Sequence, residues 1–446
     1  MPKPLPADQR KKSRQPLAFS QFRVYCPVLA TPEIIREAGQ FDQLTAQLPC
    51  WRTLPMYRAS LTGCAPADLR CFQNLPLLTK RAVRENFPHN FFPDTNTFES
   101  LLEQNLLERE HTSGTSEERL PVIFPRGWWD AQEQRALRLN GFVAKILDEF
   151  PAARRATITS PACNGLTCPT VWMSREQRVV GRALFVNLAR IPFLLGEDEL
   201  ARMAQEITEW QPQFLDMDPV QGAWFALYCE RRSLRFPSLK FVLCSYEFVS
   251  LVHRKILTRV FGVPVFNLYG STETGHLLME NERGEMKASS DTAFLEVANT
   301  DAQDIGDLVV TTLSNDYMPL LRYRIGDLAA KQVQSYGNNF IIHGRSRDAL
   351  VASDGSRVTT WQVDQCFADA DGLAHYELWQ SENGEASLRY VPDATPPTQN
   401  SLRDITARLE ALLKSAARIK PEAMTTLVPA ASGKFRLTRR ESNASC

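Results

Sequence analysis

From residue 156 to residue 271 the chain alternates short apolar runs with longer amphipathic ones, and this alternation narrows the fold more than any other feature. Residues 156–159 and 183–188 read as strands and residues 197–210 as a helix. Lys240-Phe241-Val242-Leu243-Cys244 is a buried strand that runs into Ser245-Tyr246-Glu247. Residues 250–261 place Leu251, Val252, Ile256, Leu257, Val260 and Phe261 on one side of a helix. A further β run, residues 263–268, stops at Tyr269-Gly270. Two parallel strands need a crossover between them, so successive strand–helix–strand units imply a largely parallel sheet. The ligands of such sheets gather beyond the carboxyl ends of the strands.

The last of those ends is rich in chemistry: Tyr269-Gly270-Ser271-Thr272-Glu273-Thr274-Gly275 sets hydroxyls around one carboxylate. Tyr269 offers a flat face to a ring, Ser271 and Thr272 offer donors to a phosphate, and Glu273 suits a divalent cation. Ser245, Tyr246 and Glu247 end the neighbouring strand and edge the same pocket. Upstream, His111-Thr112-Ser113-Gly114-Thr115-Ser116 is a donor-rich turn that suits polyphosphate oxygens. Downstream, Asp327 follows Gly326 and suits a ribose diol, and Lys434 follows Gly433 where a mobile cation can reach another part of the chain. Each stretch alone is also what an ordinary polar turn or basic tail looks like.

With 446 residues the chain exceeds one compact core, and an apolar fraction of 43% still permits well-buried ones. Its 51 basic and 51 acidic residues balance, so no global field favours nucleic acid or an anionic membrane. An anionic ligand then has to be captured locally, which points to a small-molecule protein. No stretch has the about 20 uninterrupted apolar residues a membrane span needs, and the first 16 residues lack the apolar segment of a secretory signal. Ten scattered cysteines without a Cys-x-x-Cys pair read as reduced thiols, hence a cytoplasmic protein.

The other stretches give a coarser outline. Residues 75–88 hold a short helix capped by Thr79 and stopped by Pro88, and residues 128–150 read as one long helix. Trp128 and Trp129 at its start read as packing residues, and Cys163 and Cys168 as structural thiols. Residues 294–297, 308–313 and 340–343 are β-rich, and Gly344-Arg345-Ser346-Arg347-Asp348 then reads as a domain boundary. Beyond it lies a small α+β domain: strands at 376–379 and 387–391 joined through Asn383-Gly384, then a helix marked by Leu402, Ile405, Leu409 and Leu412. That helix is expected to be capped by Asn400 or Ser401, with a last strand at 423–428.

Taken in order, these stretches resemble the adenylate-forming enzymes, which include acyl- and aryl-CoA ligases, non-ribosomal adenylation domains and luciferases. The phosphate loop of that family is similar to Thr112-Ser113-Gly114-Thr115, its Tyr-Gly-x-Thr-Glu motif to Tyr269-Gly270-Ser271-Thr272-Glu273, and its Tyr-Arg-x-Gly-Asp-Leu motif to residues 323–328. Its Gly-Arg hinge resembles Gly344-Arg345 and its late Gly-Lys resembles Gly433-Lys434. Five motifs in order over residues 75–437 are specific, and residues 75–88 and 261–264 look most like the phenylacetate–CoA ligase branch. The resemblance implies an α/β fold with parallel-rich sheets in a large N-terminal AMP-binding domain, residues 1–344, and a small mobile α+β lid, residues 345–446.

It further implies ATP-dependent activation of a carboxylic acid, an aromatic one by its branch, to an acyl-adenylate with release of pyrophosphate. Transfer to a thiol follows, either coenzyme A or the phosphopantetheine of an acyl carrier protein, in a setting such as secondary metabolism. By resemblance Glu273 binds Mg²⁺, while Thr112, Ser113, Thr115 and Thr272 hold phosphoryl oxygens. Asp327 and Arg345 grip the ribose, and Tyr269 stacks on adenine with Ser245, Tyr246 and Glu247 nearby. Lys434 bridges the carboxylate and the α-phosphate, with Thr272 and Glu273 as the other catalytic groups. Asn164, Gly165, Ser245, Tyr246 and His276 are the implied acyl pocket.

The chain departs from the pattern in places. Glu117 and Glu118 follow the phosphate loop where glycine is usual, Arg347 stands at the hinge where Asp or Lys is usual, and Ala352-Ser353-Asp354-Gly355 alters the glycine-rich segment on the thiol path. No cysteine lies in residues 331–340, where relatives carry a zinc pair, so no structural zinc is expected. Two other readings stay open: an adenylate-forming enzyme with an amine or hydroxyl acceptor, and a nucleotide-binding regulator that has lost its chemistry.

Overall fold

The structure, a computed structural model, describes residues 37–62, 72–112, 119–159, 173–334, 337–430 and 432–441. Among them a twelve-stranded sheet dominates. Ala183–Phe185, Arg155–Ile158, Phe214–Met217, Phe241–Cys244 and Val265–Ser271 are successive parallel neighbours, with the two-residue strand Val179–Val180 antiparallel at the edge. Past Val265–Ser271 the pairing becomes antiparallel through Gly275–Glu280, Met286–Ala288, Gly337–Arg345, Tyr323–Gln334, Ile305–Thr312 and Ala293–Ala298. Val265–Ser271 therefore carries a crossover partner on one side and a hairpin partner on the other, and its end is where the sheet changes character.

The parallel strands are covered on both faces, as their uninterrupted burial requires. Leu215, Met217, Val242, Cys244 and Val265 pack toward the helices Glu197–Trp210, Pro219–Arg231 and Leu251–Phe261. Alternate residues Phe214, Phe241, Leu243, Phe266 and Leu268 pack toward Trp128–Leu137 and Gly141–Glu149. Helix ends are set locally. The Asp218 carboxylate accepts from the amides of Val220 and Gln221 with Pro219 at the first helical position, and Ser250 accepts from the His253 amide. Such caps contribute about 1 kcal/mol each.

The remaining chain forms a four-stranded sheet in the order Lys420–Ala423, Ala386–Pro392, Leu373–Gln380, Thr438–Arg440, with the helix Gln399–Leu412. It seats on the helices of the parallel half. His375 packs between Phe193 and Phe435, its ring stacks on His253, and the Asp364 carboxylate accepts twice from the Leu251 amide.

Several expectations need correction. Residues 128–150 are two helices, because Asn140 leaves the first and accepts from the Val143 amide to cap the second. The strand expected over 183–188 ends at Phe185. The cap of the late helix is Thr398, which accepts from the Ser401 amide. Residues 423–428 are not the last strand: the β residues there are Lys420–Ala423, fully exposed at an edge, and the last strand is Thr438–Arg440. No described helix is long and apolar enough to cross a membrane.

Candidate active site

Two adjacent strand ends build the site. At the end of Val265–Ser271, the Tyr269 hydroxyl donates to Asp327 Oδ2 at 2.5 Å, and Arg345 Nε lies 2.9 Å from Asp327 Oδ1. Asp327 and Arg345 face each other in register on paired strands. Glycines at positive φ precede both, Gly326 at 93° and Gly344 at 90°, and a Cβ on Gly344 would stand 2.8 Å from Thr360. Tyr269 and Arg345, 76 positions apart, thus converge on the carboxylate of Asp327, a residue 6% exposed.

In the following turn the buried Tyr323 hydroxyl donates to Glu273 Oε1 at 3.0 Å. Burial and the Glu273 charge hold the Tyr323 proton firmly on its oxygen. Ser271 and Thr274 hydroxyls pair at 2.9 Å, and Thr272 is half-buried between them. Gly275 has φ of 74° and admits no side chain, since a Cβ would meet the Trp128 ring at 2.7 Å. Thr112 closes the hairpin of Leu107–His111 and Pro121–Pro125, its hydroxyl accepting from the Leu120 amide at 3.0 Å. Ser113, Gly114, Thr115, Asn164 and Gly165 lie outside the described residues.

At the end of Phe241–Cys244, the backbone turns through Tyr246 at φ of 72°. The Ser245 hydroxyl donates to Asp216 Oδ1 at 2.6 Å and the Tyr246 hydroxyl to Asp216 Oδ2 at 3.0 Å. On the other side of this turn, Lys434 Nζ donates to the Tyr246 carbonyl at 2.7 Å, and the Phe435 amide donates to Glu247 Oε1 at 2.7 Å. Burial first, then the neighbouring Asp218 carboxyl, pushes Glu247 well above the usual carboxylate range. Asp218 itself is raised to about 6 by burial. Two buried carboxyls side by side resist ionising together, and the Lys434 ammonium offsets part of that resistance.

His276 is 9% exposed beneath the Trp129 ring, centroids 4.8 Å apart, and burial lowers its pKa to about 4, leaving it neutral. Trp128 and Trp129 both pack against the core around Phe124, as expected, and Trp129 also meets His276. Arg347 is exposed in the turn Ser346–Asp348. The sequence reading missed Asp216, Asp218, Arg155 and Glu133. Only Asp218 had a local signal, an N-cap residue directly before proline.

Glu273, 7% exposed, is the carboxylate of this turn, and its Oε1 accepts from Tyr323. Among the described residues no three His, Cys, Asp or Glu side chains gather as a metal site, and Mg²⁺ is ordinarily held by one or two carboxylates with phosphate oxygens and water.

No family model matches the chain. It is 23% identical over 359 residues to a phenylacetate-coenzyme A ligase of Pseudomonas putida, covering 74% of this chain and 75% of that protein. A phenylacetate-coenzyme A ligase of Thermus thermophilus is 27% identical over 231 residues, 47% of this chain and 51% of that one. The crystal structure of 2-hydroxyisobutyryl-CoA ligase in the postadenylation state, in complex with R3-HIB-AMP, matches with a TM-score of 0.65 at 17% identity, covering 92% of this chain and 90% of that chain. The same ligase in its thioesterification state matches with a TM-score of 0.53. Twelve strands that switch from parallel to antiparallel at the Tyr-Gly turn, and a small sheet seated on the helices of the parallel half, give this chain the fold of that 2-hydroxyisobutyryl-CoA ligase.

Proposed function

We propose that this chain is an ATP-dependent acid–thiol ligase that activates a carboxylic acid, an aromatic one, as its acyl-adenylate and passes the acyl group to a thiol. The observation that carries the reading is the docking of Lys434 on the Tyr246 carbonyl, one strand away from the Tyr269–Asp327–Arg345 cluster. A carboxylate oxygen attacks the α-phosphorus of ATP while the bond from that phosphorus to the pyrophosphate oxygen breaks. Both reactants are anionic, so the step needs cations at fixed positions. Lys434 supplies one beside the attacking carboxylate. Glu273 is the residue that would hold a Mg²⁺ ion here, and that ion would supply neutralisation of the leaving pyrophosphate.

Asp327 accepts from the ribose hydroxyls, and Arg345 fixes its orientation. The Tyr269 ring stands where adenine would stack, and Thr112 and Thr272 flank the phosphates. Residues 345–446 act as the lid, turning about Arg347 so that Lys434 withdraws and a thiol enters. The two phenylacetate-coenzyme A ligase relatives support an aryl acid and coenzyme A, with a carrier-protein phosphopantetheine as the other acceptor of the same chemistry.

ATP–pyrophosphate exchange over a panel of aryl, fatty and amino acids tests the reading. Acid-dependent exchange is expected, and product mass with coenzyme A or a phosphopantetheinylated carrier identifies the acceptor. Nucleotide binding without exchange for any acid would overturn it.

A further inference from the structure

The small sheet seats on the helix Leu251–Phe261 through contacts spread along its length, and one of them differs in kind from the others. The Leu251 amide donates to Asp364, Lys255 Nζ lies 2.6 Å from Asp371, and Arg259 Nη2 lies 3.0 Å from Asp393. Among these, His253 Nε2 stands 3.1 Å from His375 Nδ1, the rings 5.2 Å apart and 15° from parallel. Both residues are buried, at 0% and 1% exposure, and His375 is closed in by Phe193 and Phe435. His253 Nδ1 has no hydrogen-bond partner among the described residues.

Two neutral imidazoles satisfy this contact, one donating and the other accepting. A proton on each would set N–H against N–H, and a proton on either would bury a cation to which no described carboxylate bonds. The charges around the pair are engaged elsewhere. On the helix, Arg254 pairs with Glu280 and Lys255 with Asp371. Glu230 of Pro219–Arg231 pairs with Arg259, and Pro192–Leu194 carries no charge. On the sheet side, Glu377 lies 3.6 Å from Arg389, and Asp364 accepts from the Leu251 amide and the Tyr376 hydroxyl. Around Phe435, its amide meets Glu247, Lys434 meets the Tyr246 carbonyl, and Arg436 lies 3.5 Å from Asp348.

We propose that His253 and His375 form a proton-sensitive latch: while both rings are neutral they hold the small sheet on the body, and when they take up protons the seam opens. Its consequence for the chemistry rests on the adenylation reading, because the closed seam is what sets Lys434 on the Tyr246 carbonyl. Burial lowers His253 to about 3, and burial with the His253 charge lowers His375 well below its ordinary value. An open seam returns both to about 6.5, so closure is fully supported above that pH and loses about tenfold per ring at about pH 5.5. Asp364, raised to about 7, and Glu247, also raised, run the opposite way, so the latch is read by comparing proteins at one pH.

The test is hydrogen–deuterium exchange of residues 251–257 and 432–437 in the full chain, each variant against the parent at the same pH so that intrinsic exchange rates cancel. His253→Gln puts an amide where Nε2 stood, His375→Asn puts one where Nδ1 stood, and neither amide titrates. Between about pH 7.5 and about 5.5 the protection of each variant relative to the parent should rise about tenfold, and that of the double variant about a hundredfold. Lys255→Ala loosens the same seam without touching either ring and should keep a constant ratio to the parent. A constant ratio for the histidine variants, or a ratio that changes with pH for Lys255→Ala, overturns the latch, and acid-dependent pyrophosphate exchange in that case leaves the adenylation reading standing. The expected ratios without pyrophosphate exchange for any acid support the latch and overturn the adenylation reading.

Discussion

Replacing Lys434 with alanine separates what the side chain does for the fold from what it does for the chemistry. In the fold it makes one hydrogen bond, 2.7 Å to the Tyr246 carbonyl, from a half-buried position. A net hydrogen bond is worth about 1 kcal/mol. Its ammonium also lowers the pKa values of Asp218 and Glu247, so without it both carboxyls move further up and the pair stays partly protonated. That response limits the electrostatic penalty, and a loss of about 1–2 kcal/mol leaves a domain of ordinary stability folded. In the proposed reaction the ammonium is a preorganised cation where two anions meet, and losing such a group costs about 10²–10³ in rate. Circular dichroism and melting should therefore show a folded protein, while acid-dependent pyrophosphate exchange collapses by that factor. Transfer from supplied acyl-adenylate to the thiol should be largely kept, because the lysine has no task once pyrophosphate has left. Exchange retained in a folded Lys434→Ala protein, or equal loss in both half-reactions, would refute the assignment.

Glu247 should act through the lysine: Glu247→Gln keeps an acceptor for the Phe435 amide and should retain most exchange, whereas Glu247→Ala frees the loop and should lose more, about tenfold, in pyrophosphate exchange. Burial lowers His253 to about 3 and His375 well below its ordinary value, so the stability they contribute is present above about pH 6.5 and lost as pH falls toward 3. Asp364, raised to about 7, runs the opposite way, its contribution being lost as pH rises from about 4 toward 7; melting curves of Asp364→Asn should show a steeper acid limb between pH 4 and 6.5 than the parent. Gly344→Ala combines a φ of 90° with a 2.8 Å approach to Thr360 and should lower the melting temperature by more than Gly355→Ala, whose φ is 83° in open space. The expected gap is about 1–2 kcal/mol of stability in denaturant titrations.

What the sequence made legible is local. The helices Glu197–Trp210 and Leu251–Phe261 and the strand Phe241–Cys244 announce themselves by period, and the hydroxyl-rich turn after Tyr269 by residue type. What it hid depends on partners far along the chain. His253 and His375 are 122 positions apart and Lys434 and Tyr246 are 188 apart, so neither contact leaves a mark in any window of the sequence. The break at Asn140 was hidden for another reason: apolar residues continue on both sides, and only the cap betrays the new helix. Lys420–Ala423 was misplaced because an edge strand exposed at every residue has no alternation to detect.

The same contrast explains why Tyr246 matters more than its neighbours suggest. A tyrosine at positive φ is held against a backbone preference of about 1–2 kcal/mol. It is kept there by a hydroxyl bond to Asp216 on one side of the strand end and by the Lys434 ammonium on its carbonyl on the other. With the backbone turned this way, one residue holds Asp216 through its hydroxyl and Lys434 through its carbonyl. On the proposed reading, the cation that docks on this turn is also the cation that meets the substrate carboxylate, so closing of the lid and alignment of the acid are a single event at a single residue. A glycine at this position would allow the turn but supply neither the ring nor the bond to Asp216, and Lys434 would then dock on a carbonyl that nothing else fixes.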